Sequence, residues 1–298
     1  MKNLGVRTIS GVILLALVLA AIWFRGPLLM ATVGVAIVLA GHEFYTMVRK
    51  AGYLPWYPAG IALALVLGLR AYLGGDLLTG VAYSGPGVAA EVIALALVLI
   101  LLLARQGLIW MRAPQAALRG GTQTAARSPF LAWADIGLTL GGALYTGVLL
   151  GYAPLLASVE ETATRGGGQA WMLMVLLGTA AADTGAYFVG SLIGRHKMIP
   201  HISPGKTWEG LAGGVLGAVA AALALAGLLK LPWEAAVVLG LLVCAAAVTG
   251  DLSESFLKRA SGVKDSGNII PGHGGVLDRV DSVLFVTLAV FWFVTVWG

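Results

Sequence analysis

Long apolar runs, separated by short polar stretches, fill most of this chain. They fall at roughly 8–24, 27–47, 57–73, 87–104, 131–156, 170–190, 210–229, 233–256 and 280–297. Each approaches the about 20 residues that a helix needs to cross a hydrocarbon core. The apolar residues are continuous, whereas membrane β-strands would alternate over about ten residues. Lipid offers the backbone no hydrogen bonds, and a helix satisfies its own. The pattern therefore predicts an all-α polytopic membrane protein with about nine transmembrane helices.

Lys2 and Arg7 precede the first run, as in a signal peptide. No small-residue cleavage site stands near Ala20 and Ala21 and a second span follows at once, so the first run is read as a retained helix. Residues 1–130 are taken as N-terminal transmembrane helices with a basic loop, and 131–298 as a second transmembrane region of the same membrane unit. The stretch 105–130 carries four Arg among Gly, Ala, Thr and Gln and reads as a cytoplasmic loop. The stretch 158–169, with Glu160 and Glu161, reads as an external one. Gly213, Gly214 and Gly217 form a small-residue face suited to close helix packing, and such faces are also compatible with a homodimer. No internal repeat of the inverted-transporter kind is visible.

Composition narrows the class. The chain is 59% hydrophobic and only 11% charged, where soluble domains are nearer a quarter charged. A net charge of +5 could suggest a nucleic-acid partner, but the placement of the charge argues otherwise. With the N-terminus in the cytoplasm, only Arg25, Arg70, Arg165 and Lys230 of the 19 basic residues fall outside. The positive-inside rule thus gives N-in and C-out, and the excess charge faces the anionic inner leaflet with no need of nucleic acid. Cys244 stands alone in an apolar run, which excludes an intrachain disulfide and a cysteine metal site.

Three polar clusters interrupt the apolar pattern, all at cytoplasmic ends of the last four spans. Asp183 lies within the sixth run, where an unpaired carboxylate costs roughly 2.5–3.5 kcal/mol on insertion scales. It needs a structural partner on a neighbouring helix or a metal or substrate. His201–Glu209 then supplies Ser203, Gly205, Lys206 and Thr207 before the seventh run. Gly-Lys-Thr looks like the end of a P-loop, but Pro200 stands where the first glycine belongs and no strand signal precedes it. What remains is a lysine, two hydroxyls and backbone amides at a helix start, a natural anion site.

The third cluster runs from Gly250 to Asp281. Asp251 lies inside one span or at its end, while Asp278 and Asp281 share a face of the next. Between them stand Lys258, Arg259, Lys264 and a His273-Gly274-Gly275 turn. Carboxylates beside cations suit Mg²⁺ held by one or two acids plus phosphate oxygens. Glu43, beside His42, and Asp135 are further buried acids, read as structural; Glu91 is read as interfacial.

Here the sequence resembles the phosphatidate cytidylyltransferase (CDP-diacylglycerol synthase) family. The family signature runs without a gap through Ser255, Lys258, Arg259, Lys264, Asp265, Pro271, His273, Gly274, Gly275, Asp278, Arg279 and Asp281. The runs at 182–187 and 203–208 resemble further family blocks in the expected order, so the likeness covers about 170–298; the first 130 residues agree only in being hydrophobic. The resemblance implies that CTP and phosphatidate give CDP-diacylglycerol and pyrophosphate at the inner leaflet of a bacterial membrane. The lipid phosphate is itself the nucleophile and attacks the α-phosphate of CTP, so positioning and charge neutralisation are what the protein must supply. On that basis Asp251 and Asp278 are expected as metal ligands, with Asp183 and Asp281 as second candidates and room for a second metal. Lys206, Lys258, Arg259 and Lys264 are expected to hold phosphates, Ser203 and Thr207 to donate to one, and His273, Gly274, Gly275 and Arg279 to shape the nucleotide loop.

Two other readings compete. A CTP-dependent lipid-alcohol kinase would attack the γ-phosphate with a hydroxyl. A cation-coupled transporter would use Asp183 and Asp251 but leaves the His-Gly-Gly and Lys-Arg stretches unexplained.

The topology is directly testable. In a Cys244→Ala background, Thr162→Cys is expected to react with a membrane-impermeant thiol reagent in intact cells. Ser261→Cys is expected to react only after the cells are opened. The reverse labelling would overturn the orientation.

Overall fold

The computed structural model describes residues 4–73, 97–105, 108 and 129–297. Most of the fourth expected span, together with Glu91, Arg112, Arg119 and Arg127, lies outside the described residues. Among the described residues, seven helical segments are long and apolar enough to cross a membrane. They are α1 (Leu4–Phe24), α2 (Gly26–Lys50), a broken helix over Phe130–Ala157, α7 (Gly168–Ile193), α8 (Trp208–Leu229), α9 (Trp233–Ala260) and α10 (Leu277–Trp297). The helix α3 (Tyr57–Leu73) has a shorter apolar stretch, Tyr57–Leu69, and α4 spans 97–105.

The apolar runs mark these helices well, but the helices outlast them at the polar end. Where the apolar run was read to stop at 256, α9 continues through Lys258 and Arg259 in its last turn, where cations suit the helix dipole. Hydropathy marks where lipid stops, not where backbone hydrogen bonding stops. The extension puts Asp251, Glu254, Ser255 and Lys258 on one face of one rigid helix.

One expectation fails outright. The stretch before α8 is a β-hairpin: β1 (Lys197–Ile199) pairs antiparallel with β2 (Ser203–Thr207), placing Lys197 opposite Thr207 and Ile199 opposite Ser203. A strand therefore does precede Gly-Lys-Thr, although Pro200 still breaks the P-loop pattern. Ser-Pro-Gly-Lys-Thr has little intrinsic strand preference, so its neighbours dictate its conformation. Thr207 closes the hairpin and caps α8, its hydroxyl accepting from Gly210 N at 3.0 Å.

Backbone-to-backbone approach holds the site-bearing helices together. A Cβ on Gly185 of α7 would overlap the carbonyl of Gly213 on α8, and one on Gly250 of α9 would overlap that of Asp281 on α10. The small-residue face of α8 is thus spent on α7 within one chain. The broken helix comprises α5 (Pro129–Ala143), a π-helical turn (Leu144–Val148) and α6 (Leu149–Ala157). At that turn Gly147 lies against the backbone of Ala64 on α3. One apolar core runs through both halves, from Ile37 and Phe44 on α2 to Leu239 on α9 and Val290 on α10.

Gly185→Leu is expected to destabilise the protein by about 1–3 kcal/mol, the usual cost of overpacking. Thermal unfolding in detergent would show a lowered midpoint. Gly205→Ala, at a site open to beyond 4 Å, is expected to leave the midpoint unchanged.

Candidate active site

The polar ends of α7, α9 and α10, the hairpin and start of α8, the loop after α9 and the first turns of α1 enclose a cavity of about 940 Å³. This is ample for a nucleotide-sized ligand. Its lining mixes apolar and small residues such as Ala182, Gly214 and Val248 with acids and lysines.

Two ion pairs organise its polar groups. On β2, Lys206 places its Nζ 3.0 Å from Asp251 Oδ2 and donates to the carbonyl of Val248 at 3.2 Å. The other oxygen of Asp251 accepts from Ser255 Oγ at 3.2 Å. Asp183 and Asp281 line the same cavity from α7 and α10.

The second pair is deeper. Lys258 Nζ lies 2.8 Å from Asp278 Oδ1 and also bonds Glu254, one turn back on α9. Glu254 is fully buried, and its Oε1 has no hydrogen-bond partner. Asp278 stands in the first turn of α10 and accepts from Ser266 N at 3.0 Å and Gly275 N at 2.9 Å. Both of its oxygens are therefore engaged by the protein.

The His-Gly-Gly turn is fixed from outside as well as within. Gly272 and Gly274 adopt φ of 77° and 85°, a region side chains resist. Arg279 donates twice to the carbonyl of His273, at 3.0 and 2.8 Å. From α1, Arg7 Nε donates to Gly272 O at 2.7 Å, and Ser10 Oγ lies 2.9 Å from His273 Nδ1. The first helix, from the half without family motifs, thus forms part of the wall.

The expected site residues divide accordingly. Asp183, Lys206, Asp251, Lys258, Asp278 and Asp281 all line the cavity, as do Ser203, Thr207, His273, Gly274 and Arg279. Three others do not. Arg259 donates to the carbonyl of Ile202 at 3.3 Å, bracing the hairpin turn. Gly275 is packed against Ser266 and Glu43, and Lys264 stands off the lining. The hydroxyl of Thr207 is already committed as the α8 cap. Among the described residues, no three His, Cys, Asp or Glu side chains are gathered closely enough to hold an ion alone.

Sequence reasoning missed Glu254, Ser266, Arg7 and Ser10, and took Glu43 as merely structural. Glu254 was within reach, since it sits three residues after Asp251 and four before Lys258 on one helical face. The others contact the site only through tertiary structure.

Comparison with known proteins identifies the family of the chain. The model of the cytidylyltransferase family matches residues 5–297. A phosphatidate cytidylyltransferase of Mycobacterium tuberculosis (strain ATCC 25618 / H37Rv) is 31% identical over 286 residues, which span 95% of this chain and 80% of that protein. One of Bacillus subtilis (strain 168) is 39% identical over 154 residues, 51% of this chain and 55% of its own. One of Helicobacter pylori (strain ATCC 700392 / 26695) is 46% identical over 131 residues, 43% and 48% of the two chains. With the match running almost from end to end, and through α1 as well as the acid-bearing helices, this chain belongs to the cytidylyltransferase family.

Proposed function

We propose that this integral membrane protein is a phosphatidate cytidylyltransferase, joining CTP and phosphatidate into CDP-diacylglycerol with release of pyrophosphate. The observation that carries the reading is the meeting of two Lys–Asp pairs, Lys206–Asp251 and Lys258–Asp278, at one cavity bounded by apolar helices. A lipid phosphate and a triphosphate can both reach such a place, one from the bilayer and one from water.

The donor set fits a hard divalent cation such as Mg²⁺. Asp183, Asp251 and Asp281 offer carboxylate oxygens to the cavity, and the unpartnered oxygen of buried Glu254 adds another acceptor. Since these acids do not form a ready cage, the protein would contribute one or two ligands and the triphosphate the rest. When bound, Mg²⁺ would neutralise charge on the phosphates. Asp278, with both oxygens engaged, serves first to anchor Lys258 and the loop.

The ion pairs describe a resting state. In each pair the lysine and aspartate compensate each other's charge until ligand arrives. Lys206 then turns from Asp251 to a phosphate oxygen, freeing Asp251. Lys258 stays deep and places positive charge beneath the α-phosphate. The lipid phosphate needs no activated side-chain nucleophile; alignment of the two phosphates supplies most of what the reaction lacks in water.

The cavity sits at the cytoplasmic leaflet in this reading, with nine crossings. Arg105 Nη1 lies 3.4 Å from Leu54 O, and Leu54 N donates to Asp135 at 2.7 Å. These contacts bring the start of α3, the end of α4 and the start of α5 to one end of the bundle. That placement supports a return crossing between α3 and α5, and with it the common side of Arg7, the hairpin and the α9–α10 loop.

CTP labelled at the α-phosphate is expected to pass its label to phosphatidate, while γ-label is expected to appear only in pyrophosphate. Lipid labelled from the γ-position would instead make the protein a lipid kinase. Asp251→Asn is expected to lower turnover about 10²-fold or more, the scale for losing one charge-stabilising group, with an unchanged melting midpoint. Asp278→Asn is expected to lose turnover and also stability, by about 1–3 kcal/mol, because Lys258 keeps only Glu254 of its two carboxylate partners. Equal midpoints for the two variants would refute this division of roles.

A further inference from the structure

Glu43 is a buried acid of α2, far in sequence from every family motif, yet it is enclosed by the catalytic loop. Its Oε1 accepts from Val276 N at 2.9 Å, and its Oε2 accepts from Leu277 N at 2.8 Å and Ser266 Oγ at 3.2 Å. Val276 and Leu277 present amides at the start of α10, which the helix itself cannot satisfy. The two oxygens of Glu43 thus gather three donors from the loop and the start of α10. The loop is built to admit it: a Cβ at Gly267 would lie 2.5 Å from Glu43 Oε1, and one at Gly275 would lie 2.6 Å from Oε2.

Ser266 extends this contact into the site. Its hydroxyl is bound by Glu43, while its backbone N–H donates to Asp278 at 3.0 Å. Gly275 lies against Glu43 and donates its own N–H to Asp278 at 2.9 Å. Every amide that fixes Asp278 thus belongs to a residue touching Glu43, and Asp278 in turn fixes Lys258.

We infer that Glu43 is a positioning residue for nucleotidyl transfer, acting through Ser266 and Gly275 on Asp278 and Lys258. This rests on the transferase reading above. The N-terminal helices then do more than anchor the protein: α2 supplies a group that sets the geometry of the site. Gly267 and Gly275 are required as glycine because Glu43 occupies the space of their side chains.

The test uses Glu43→Gln, which keeps the volume but turns a donor toward an amide. Ser266→Ala deletes only the hydroxyl, so it carries the test should the first variant fold poorly. Hydrogen exchange of the whole protein, read by mass spectrometry, is expected to speed up in peptides covering 264–277 and to stay unchanged across α8. The kcat of Glu43→Gln is expected to fall 10-fold or more, and that of Ser266→Ala about threefold, with the KM for CTP moving less than kcat in both. The double variant is expected to be no slower than Glu43→Gln alone, as for groups acting in series. Exchange quickened evenly through the protein would reduce Glu43 to general stability and overturn the inference. So would kcat within twofold of the unaltered protein, or independent effects of the two substitutions. Failure of the unaltered protein to transfer α-label would instead sink the transferase reading, with the exchange data still deciding whether Glu43 holds the loop.

Discussion

Lys258, gripped by Glu254 from its own helix and by Asp278 from the next, is the contact on which the site depends. A lone charge at the inner edge of a hydrophobic bundle is expensive, and breaking such a pair leaves the remaining charge uncompensated. The geometry follows from that constraint. Asp278 must stay close to Lys258, so α10 must begin where it does. The loop before α10 must bend tightly, which Gly272 and Gly274 permit. Once bent, it presents Ser266 and Gly275 to Asp278 from one side and meets Glu43 on the other.

The same constraint bears on the other acids of the cavity. Alone in an apolar bundle, Asp251 and Asp183 would lack partners. They share a cavity with Lys206, which the hairpin carries in from outside the helical bundle. Glycine contacts between α7 and α8 and between α9 and α10 keep the helix axes near one another, so that side chains as short as aspartate can reach a common space.

Much of this was legible in the sequence, for reasons that differ by element. The helices α7 to α10 were clear because lipid demands continuous apolar runs, and their acids were conspicuous because lipid tolerates so few. The hairpin was hidden because Ser-Pro-Gly-Lys-Thr has no alternating pattern; its pairing follows from where α7 and α8 place its ends. Glu43 carried the right sign, a carboxylate in an apolar run, but its partners lie over 220 residues away and no local pattern points to them. Arg259 and Lys264 show the converse. Membership of a charged signature does not place a side chain in the cavity, since Arg259 sits on α9's hairpin-facing side and braces Ile202.

The anchoring of the Pro271–His273 turn by Arg7 and Ser10 ties α1 to the loop before α10, and it bears on biogenesis. Synthesis delivers α1 and α2 to the bilayer long before residues 266–277 leave the ribosome. During that interval Arg7, Ser10 and Glu43 lack the partners that this loop later brings. The nascent protein therefore holds an unmet acid in α2 until the loop before α10 and the start of α10 arrive, and the wall of the cavity that they form closes only then.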